Sequence, residues 1–184
     1  MMQVGAFAIR RATRQLLKQV SLVRRSPTKR AVKHLQSITK NDEWGTPIDI
    51  LRNGCREFHI NPKLDVAASR YLHIPYCTKY YTIDDDALTR PWDMDWWCNP
   101  PYTRVRDFVG YGIKQVEMHG VRGLFLTYAK VDTRWWHDLI EPHCRYKFIR
   151  GRVRFLTPYG QQRGPAPYPS VYIYVGPETV QGGA

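Results

Sequence analysis

The sequence predicts a single α/β domain on a mainly parallel sheet, with antiparallel strands toward its C-terminal end. Three observations lead there. Strand and helix periodicities alternate along residues 41–184, the pattern of strands joined by crossover helices. The strand candidates have aliphatic or aromatic cores, as strands covered on both faces require. Finally, 184 residues with 43% hydrophobic content supply one substantial core rather than two.

The elements follow in order. Thr46 is placed to cap a helix whose first residue is Pro47, with Asp49 in its first turn. That helix is predicted to reach about Phe58, with Ile48, Leu51, Cys55 and Phe58 facing a sheet at a 3.6-residue period, until Asn61-Pro62 breaks the chain. Leu64-Asp65-Val66-Ala67-Ala68-Ser69 reads as a short buried strand with an acid near its carboxyl end and small residues after it. Ends of that kind are where open parallel sheets bind cofactors. Lys79-Tyr80-Tyr81-Thr82 is expected to be extended, Asp84-Asp85-Asp86-Ala87-Leu88 to turn into a short helical segment, and Met94 to Cys98 to form a core strand. The distance from Asp65 to Asn99 is short for two full strand-helix units, so one crossover helix is expected to be trimmed or missing.

Residues 106–118 predict a helix closed by Gly120, and Gly123 to Tyr128 a strand. Asp132 or Thr133 can cap a helix running through Trp135 and Trp136 to Pro142. Adjacent tryptophans on a helix point apart, so at least one belongs to the core, and both are left out of the expected site. Tyr146 to Leu156 reads as a strand pair or a bent strand, and Val171 to Val175 as the last strand.

Charge and composition exclude several classes. The net charge of +12 is concentrated in residues 1–40, which hold ten Lys or Arg and no acid, leaving eighteen basic against sixteen acidic residues elsewhere. Within this basic extension Ile9, Ala12, Leu16, Val20 and Val23 recur at helical spacing among arginines, up to Pro27. It reads as a phosphate-binding arm, a targeting peptide or a poorly ordered leader, partly helical or disordered, ahead of a domain over 41–184. No run of 18 or more apolar residues occurs, so no membrane span is expected. Four scattered cysteines without a Cys-x-x-Cys pair, and six scattered histidines, indicate neither a disulfide framework nor a metal site, and a reducing cytoplasm fits.

Chemistry concentrates in Asn99-Pro100-Pro101-Tyr102, directly after the apolar run Trp96-Trp97-Cys98. The prolines restrict Asn99 to extended backbone and fix φ, so whatever acceptors the loop carries are preorganised. A strand-ending tetrapeptide of this kind resembles the active-site loop of enzymes that methylate exocyclic amino nitrogens. Around it stand, in order, Trp44-x-Thr46-Pro47, Leu64 to Ser69, Cys77-x-Lys79-Tyr80-Tyr81-Thr82, Asp86-Ala87-Leu88, Trp92 and Gly151-Arg152-Val153-Arg154-Phe155. The series resembles the phage-type DNA N6-adenine methyltransferase (Dam) family over about residues 44–175.

The resemblance implies a Rossmann-like S-adenosylmethionine-dependent methyltransferase domain acting on N6 of adenine at a specific site in double-stranded DNA. It implies that Asn99 and the Pro100 carbonyl accept the amino hydrogens, that Tyr102 stacks on the base, and that Pro101 is structural support. Asp65, Ala67 and Ala68 would form the first cofactor loop, bordered by Trp44, Thr46 and Pro47. Asp86 would lie near the cofactor's adenine, with Asp84 and Asp85 close enough to leave the register open and a solvated turn as the plain alternative. Ala-Ala-Ser replaces the glycine-rich loop usual in methyltransferases. Arg150, Arg152 and Arg154 alternate with Gly151, Val153 and Phe155, which in an extended strand makes an arginine row for phosphate or a solvated face. A monomer is expected. The rivals are a cofactor-free DNA-binding protein on the same fold and a methyltransferase acting on protein glutamine, which the basic leader and arginine row disfavour.

Overall fold

A computed structural model describes residues 44–70, 72–157 and 159–180; the basic extension and its expected helix lie outside the described residues. The elements are α1 (Ile48–Glu57), β1 (Leu64–Asp65), β2 (Lys79–Tyr80), a 3-10 turn (Ala87–Thr89), β3 (Trp96–Cys98), α2 (Val105–His119), β4 (Gly123–Tyr128), a π turn (Trp136–Ile140) continuing into α3 (Glu141–His143), β5 (Arg145–Phe148), β6 (Ser170–Val175) and α4 (Pro177–Val180). The six strands form one mixed sheet in the order β2-β1-β3-β4-β6-β5. β2, β1, β3 and β4 pair in parallel, β6 runs antiparallel to β4, and β5 antiparallel to β6.

Strand alternation divides the core between two faces. Leu64, Val66, Trp96, Cys98, Phe125, Val171, Ile173 and Val175 pack with Phe108, Val109, Ile113 and Val116 of α2. Trp97, Leu124, Leu126, Tyr172 and Tyr174 pack on the other face with Leu51 of α1, with Phe58 just past its end and with Val153 and Phe155. Burial on both faces explains why β3 and β4 carry almost no polar residue. Gly123 faces Trp96 across the β3–β4 pair, and a Cβ there would lie 1.9 Å from the indole ring. The tryptophan therefore occupies the space a side chain would need. α2 ends at Gly120, whose φ of 64° is left-handed and whose N–H donates to the Val116 carbonyl at 2.9 Å.

Several expectations change. Pro47 is the cap residue of α1 rather than its first helical residue, no side chain caps the helix, and the Thr46 hydroxyl is buried without a partner. Ile48 is solvent-exposed, because it precedes the turn that reaches the sheet. β1 ends at Asp65, since the chain turns at Val66-Ala67. Neither the β1–β2 nor the β2–β3 connection contains an α-helix among the described residues, so both crossovers are trimmed where one was expected to be. The Thr133 hydroxyl donates backward to the Lys130 carbonyl at 2.6 Å and caps nothing. Pro142 has no N–H to give, and the helix widens to π geometry just before it. No helix among the described residues is long and apolar enough to cross a membrane.

Candidate active site

Asp65 and Asn99 meet at the carboxyl edge of the sheet because β1 and β3 are parallel neighbours, with Asp65 registered against Trp97 and Asn99 just past the end of β3. Open α/β sheets place their binding crevices outside this edge. The loop after β1 is held by Val66 N–H to the Trp97 carbonyl (3.0 Å) and Ala68 N–H to the Tyr81 carbonyl (2.9 Å). Ala67 donates its N–H to the Asp65 carboxylate at 3.2 Å. Asp65 is 5% exposed, and desolvation pushes its carboxyl up to about 7, with the Ala67 N–H opposing. No cation pairs with it among the described residues. An acid in this state favours a positively charged ligand.

Asn99 is oriented by the segment before α1. Gly45 and Leu156 exchange backbone hydrogen bonds of 2.9 and 2.8 Å, which anchors Trp44 over the tetrapeptide. The Asn99 Nδ2 group donates to the Trp44 carbonyl at 2.7 Å. A carbonyl only accepts, so this bond fixes which end of the amide is which. Oδ1 consequently points the other way, buried and without a partner. The Pro101 carbonyl is engaged by the Arg104 N–H at 2.9 Å, whereas no hydrogen bond among the described residues reaches the Pro100 carbonyl. Two acceptors thus remain available in the loop, one on Asn99 and one on Pro100.

The Tyr102 ring lies face to face with Tyr128, centroids 3.8 Å apart and planes 5° apart, with Phe155 against both rings edge-on. One face of Tyr102 is therefore taken by the protein, and a base could stack only on the opposite face. Trp44 and Pro47 are half-buried, as is Ala67, while Ala68 is buried. Among the three consecutive acids, Asp84 pairs with Arg70 at 2.6 Å. Asp85 accepts from the N–H and hydroxyl of Thr82 at 2.8 and 3.0 Å, which hold its carboxyl below the ordinary carboxylate range. Asp86 remains, exposed, at a left-handed φ of 45°, with no partner for its carboxylate among the described residues.

The arginine row is interrupted. Val153 and Phe155 are buried and Arg152 and Arg154 exposed, as alternation requires, but Gly151 has a φ of 83° and turns the chain between Arg150 and Arg152. Arg152 is also committed to the Pro167 carbonyl at 2.7 Å. Sequence reasoning missed a small cavity beside Tyr102, which Trp135 helps to line, while Trp136 is core at 1% exposure. The tryptophan pair signalled that at least one ring is core, but not where the other would point. Burial pushes the Cys55 thiol up to about 11 and the Cys77 and Cys144 thiols up to about 12, so none of these supplies a thiolate at neutral pH.

An α/β domain with a mixed six-stranded sheet and an Asn-Pro-Pro-Tyr loop at its carboxyl edge is consistent with a methyltransferase fold. The sequence model of the DNA N-6-adenine-methyltransferase (Dam) family matches residues 34–173, about three quarters of the chain, and the chain belongs to that family. It is the family whose ordered motifs the sequence displays. Membership implies DNA adenine methyltransferase activity in general terms and DNA as substrate. No curated protein matches the chain.

Proposed function

We propose that this chain transfers a methyl group from S-adenosylmethionine to N6 of adenine within a specific short site in duplex DNA. The observation that carries this reading is the Asn99 amide: Nδ2 is held by the Trp44 carbonyl at 2.7 Å while Oδ1 is buried and unpartnered. An adenine amino group is a poor nucleophile because its lone pair is delocalised into the ring. Asn99 Oδ1 and the Pro100 carbonyl offer acceptors for its two hydrogens and so draw the lone pair out of conjugation. The proline-fixed loop makes these acceptors preorganised, which is how electrostatic stabilisation acts at low reorganisation cost. Pro101 supports the loop, and the face of Tyr102 turned away from Tyr128 would stack on the base once it leaves the helix stack.

The cofactor residues fit their group in charge and size. Asp65, buried with no cation beside it among the described residues, would sit near the sulfonium or the amino-acid end, and Ala67 and Ala68 leave room for close approach. Trp44, Pro47 and the Thr46 hydroxyl, buried without a partner among the described residues, would border the same pocket. Asp86, the only uncommitted acid of the three, would take a polar group of the adenosine. S-adenosylmethionine supplies a sulfonium methyl group activated toward direct in-line displacement, and the chain's task is then positioning. Arg150 and Arg154, without acid partners among the described residues, are assigned to DNA phosphates, and Arg152 to bracing the Pro167 loop.

The test is transfer of radiolabelled methyl from S-adenosylmethionine to unmethylated DNA, followed by nucleoside analysis. Label is expected in N6-methyladenine, with Asn99→Ala lowering kcat by about 10²–10³-fold, the effect of losing one preorganised polar group. Label in cytosine or in protein would overturn the adenine assignment, and DNA binding without transfer would overturn the enzyme.

A further inference from the structure

A cavity of about 170 Å³ opens between the end of β4 and the start of α2, lined by Tyr102, Thr103, Arg106, Thr127, Lys130 and Trp135 among others. That is space for several waters. Its charges differ from those around it. Arg104 pairs with Asp107 at 3.5 Å and Arg134 with Asp138 at 3.4 Å, but Arg106 and Lys130 have no acid partner among the described residues. Lys130 instead lies 5.7 Å from the Tyr168 ring centroid. Thr127, 1% exposed, lines the cavity, and its hydroxyl joins no hydrogen bond among the described residues.

Two cations without acid partners among the described residues and a threonine hydroxyl, in a cavity that shares the Tyr102 wall with the tetrapeptide, select an anionic group with several acceptor oxygens. We propose that this cavity binds a phosphodiester of the DNA strand beside the nucleotide presented to Asn99, through Arg106, Lys130 and the Thr127 hydroxyl. The assignment rests on the DNA methyltransferase reading above. It gives the target strand a fixed point next to the base, so that the extruded nucleotide is positioned by its backbone as well as by its ring.

The test measures binding of a labelled duplex between 50 and 200 mM salt for the full chain and three variants. One phosphate contact contributes about 0.9 to the slope of log affinity against log salt. The double variant Arg106→Gln/Lys130→Gln is expected to lose that amount, shrinking the affinity drop over the fourfold salt range about 3.5-fold. Arg134→Gln, whose arginine is already paired, keeps the wild-type slope. Thr127→Val is expected to unfold no earlier than wild type, yet to bind DNA about 2- to 12-fold more weakly, the worth of one hydrogen bond. A wild-type slope in the double variant, or wild-type affinity in Thr127→Val, overturns the assignment. Displacement of DNA by millimolar inorganic phosphate that the double variant abolishes, with its DNA slope unchanged, makes the cavity a free-phosphate site and also overturns it. If the wild-type chain methylates DNA while the variants keep their slope, only the phosphate assignment fails. If it neither binds nor methylates DNA, the methyltransferase reading fails and this one with it.

Discussion

Replacing Asp65 with Asn separates the cost of a buried acid from its use. The carboxyl is 5% exposed, and desolvation lifts it from the ordinary 3.8 to about 7. Because the folded-state value is raised, the folded chain holds this proton more tightly than the unfolded chain, and stability falls as pH rises from about 4 to about 7. At 1.36 kcal/mol for each tenfold change, the rise from 3.8 to about 7 is worth about 4 kcal/mol, fully incurred above pH 7. Asn keeps the acceptor for the Ala67 N–H and carries no charge. Urea unfolding from pH 4.5 to 8.5 should therefore show Asp65→Asn more stable than wild type by about 1 kcal/mol at the acid end, rising to about 4 kcal/mol at the basic end. Cofactor binding should move oppositely: a cation beside Asp65 requires the ionised form, so wild-type affinity should weaken about tenfold per pH unit below 7. The variant should lose both the affinity and its pH dependence. A wild-type-minus-variant stability difference that stays flat with pH, or a variant less stable at pH 8, would refute the reasoning.

Two further outcomes follow from the packing. Gly123→Ala sets a Cβ 1.9 Å from the fully buried Trp96 ring and should cost about 1–3 kcal/mol or more, read as a lower urea midpoint; a change under about 0.5 kcal/mol would show that the ring can move aside. Tyr102→Ala should raise the KM for DNA about 5- to 150-fold, the range of one base-stacking contact at about 1–3 kcal/mol, while Tyr102→Phe stays near wild type. Equal effects from both substitutions would assign the role to the hydroxyl instead.

The elements most legible in the sequence were those whose burial pattern is local. Gly123 to Tyr128 is a strand as read, α2 ends at Gly120 as read, and Asp84 to Thr89 is a turn into one short helical segment. Misreadings fell where a side chain had two possible partners. Thr46 looked like a cap because Pro47 follows it, yet its hydroxyl is buried without a partner. Arg150, Arg152 and Arg154 looked like one row because side chains alternate in an extended strand, until the left-handed Gly151 turns the backbone. The three consecutive acids were indistinguishable in one dimension. Arg70 and Thr82, brought in by the folded loops, commit Asp84 and Asp85 and leave Asp86.

By itself, then, the sequence determined an α/β chain with a rigid acceptor loop at a strand end and the family to which its ordered motifs belong. Those properties follow from residue type and spacing, which act over a few residues. Only the tertiary structure decided how the parts face one another. It placed Asp65 beside β3 with no countercharge among the described residues, and the Trp44 carbonyl, 55 residues from Asn99, on one end of its amide. It also gathered Arg106, Thr127 and Lys130 around one cavity. Such contacts depend on strand order and on which polar groups burial leaves unpaired, and no local rule of spacing encodes either.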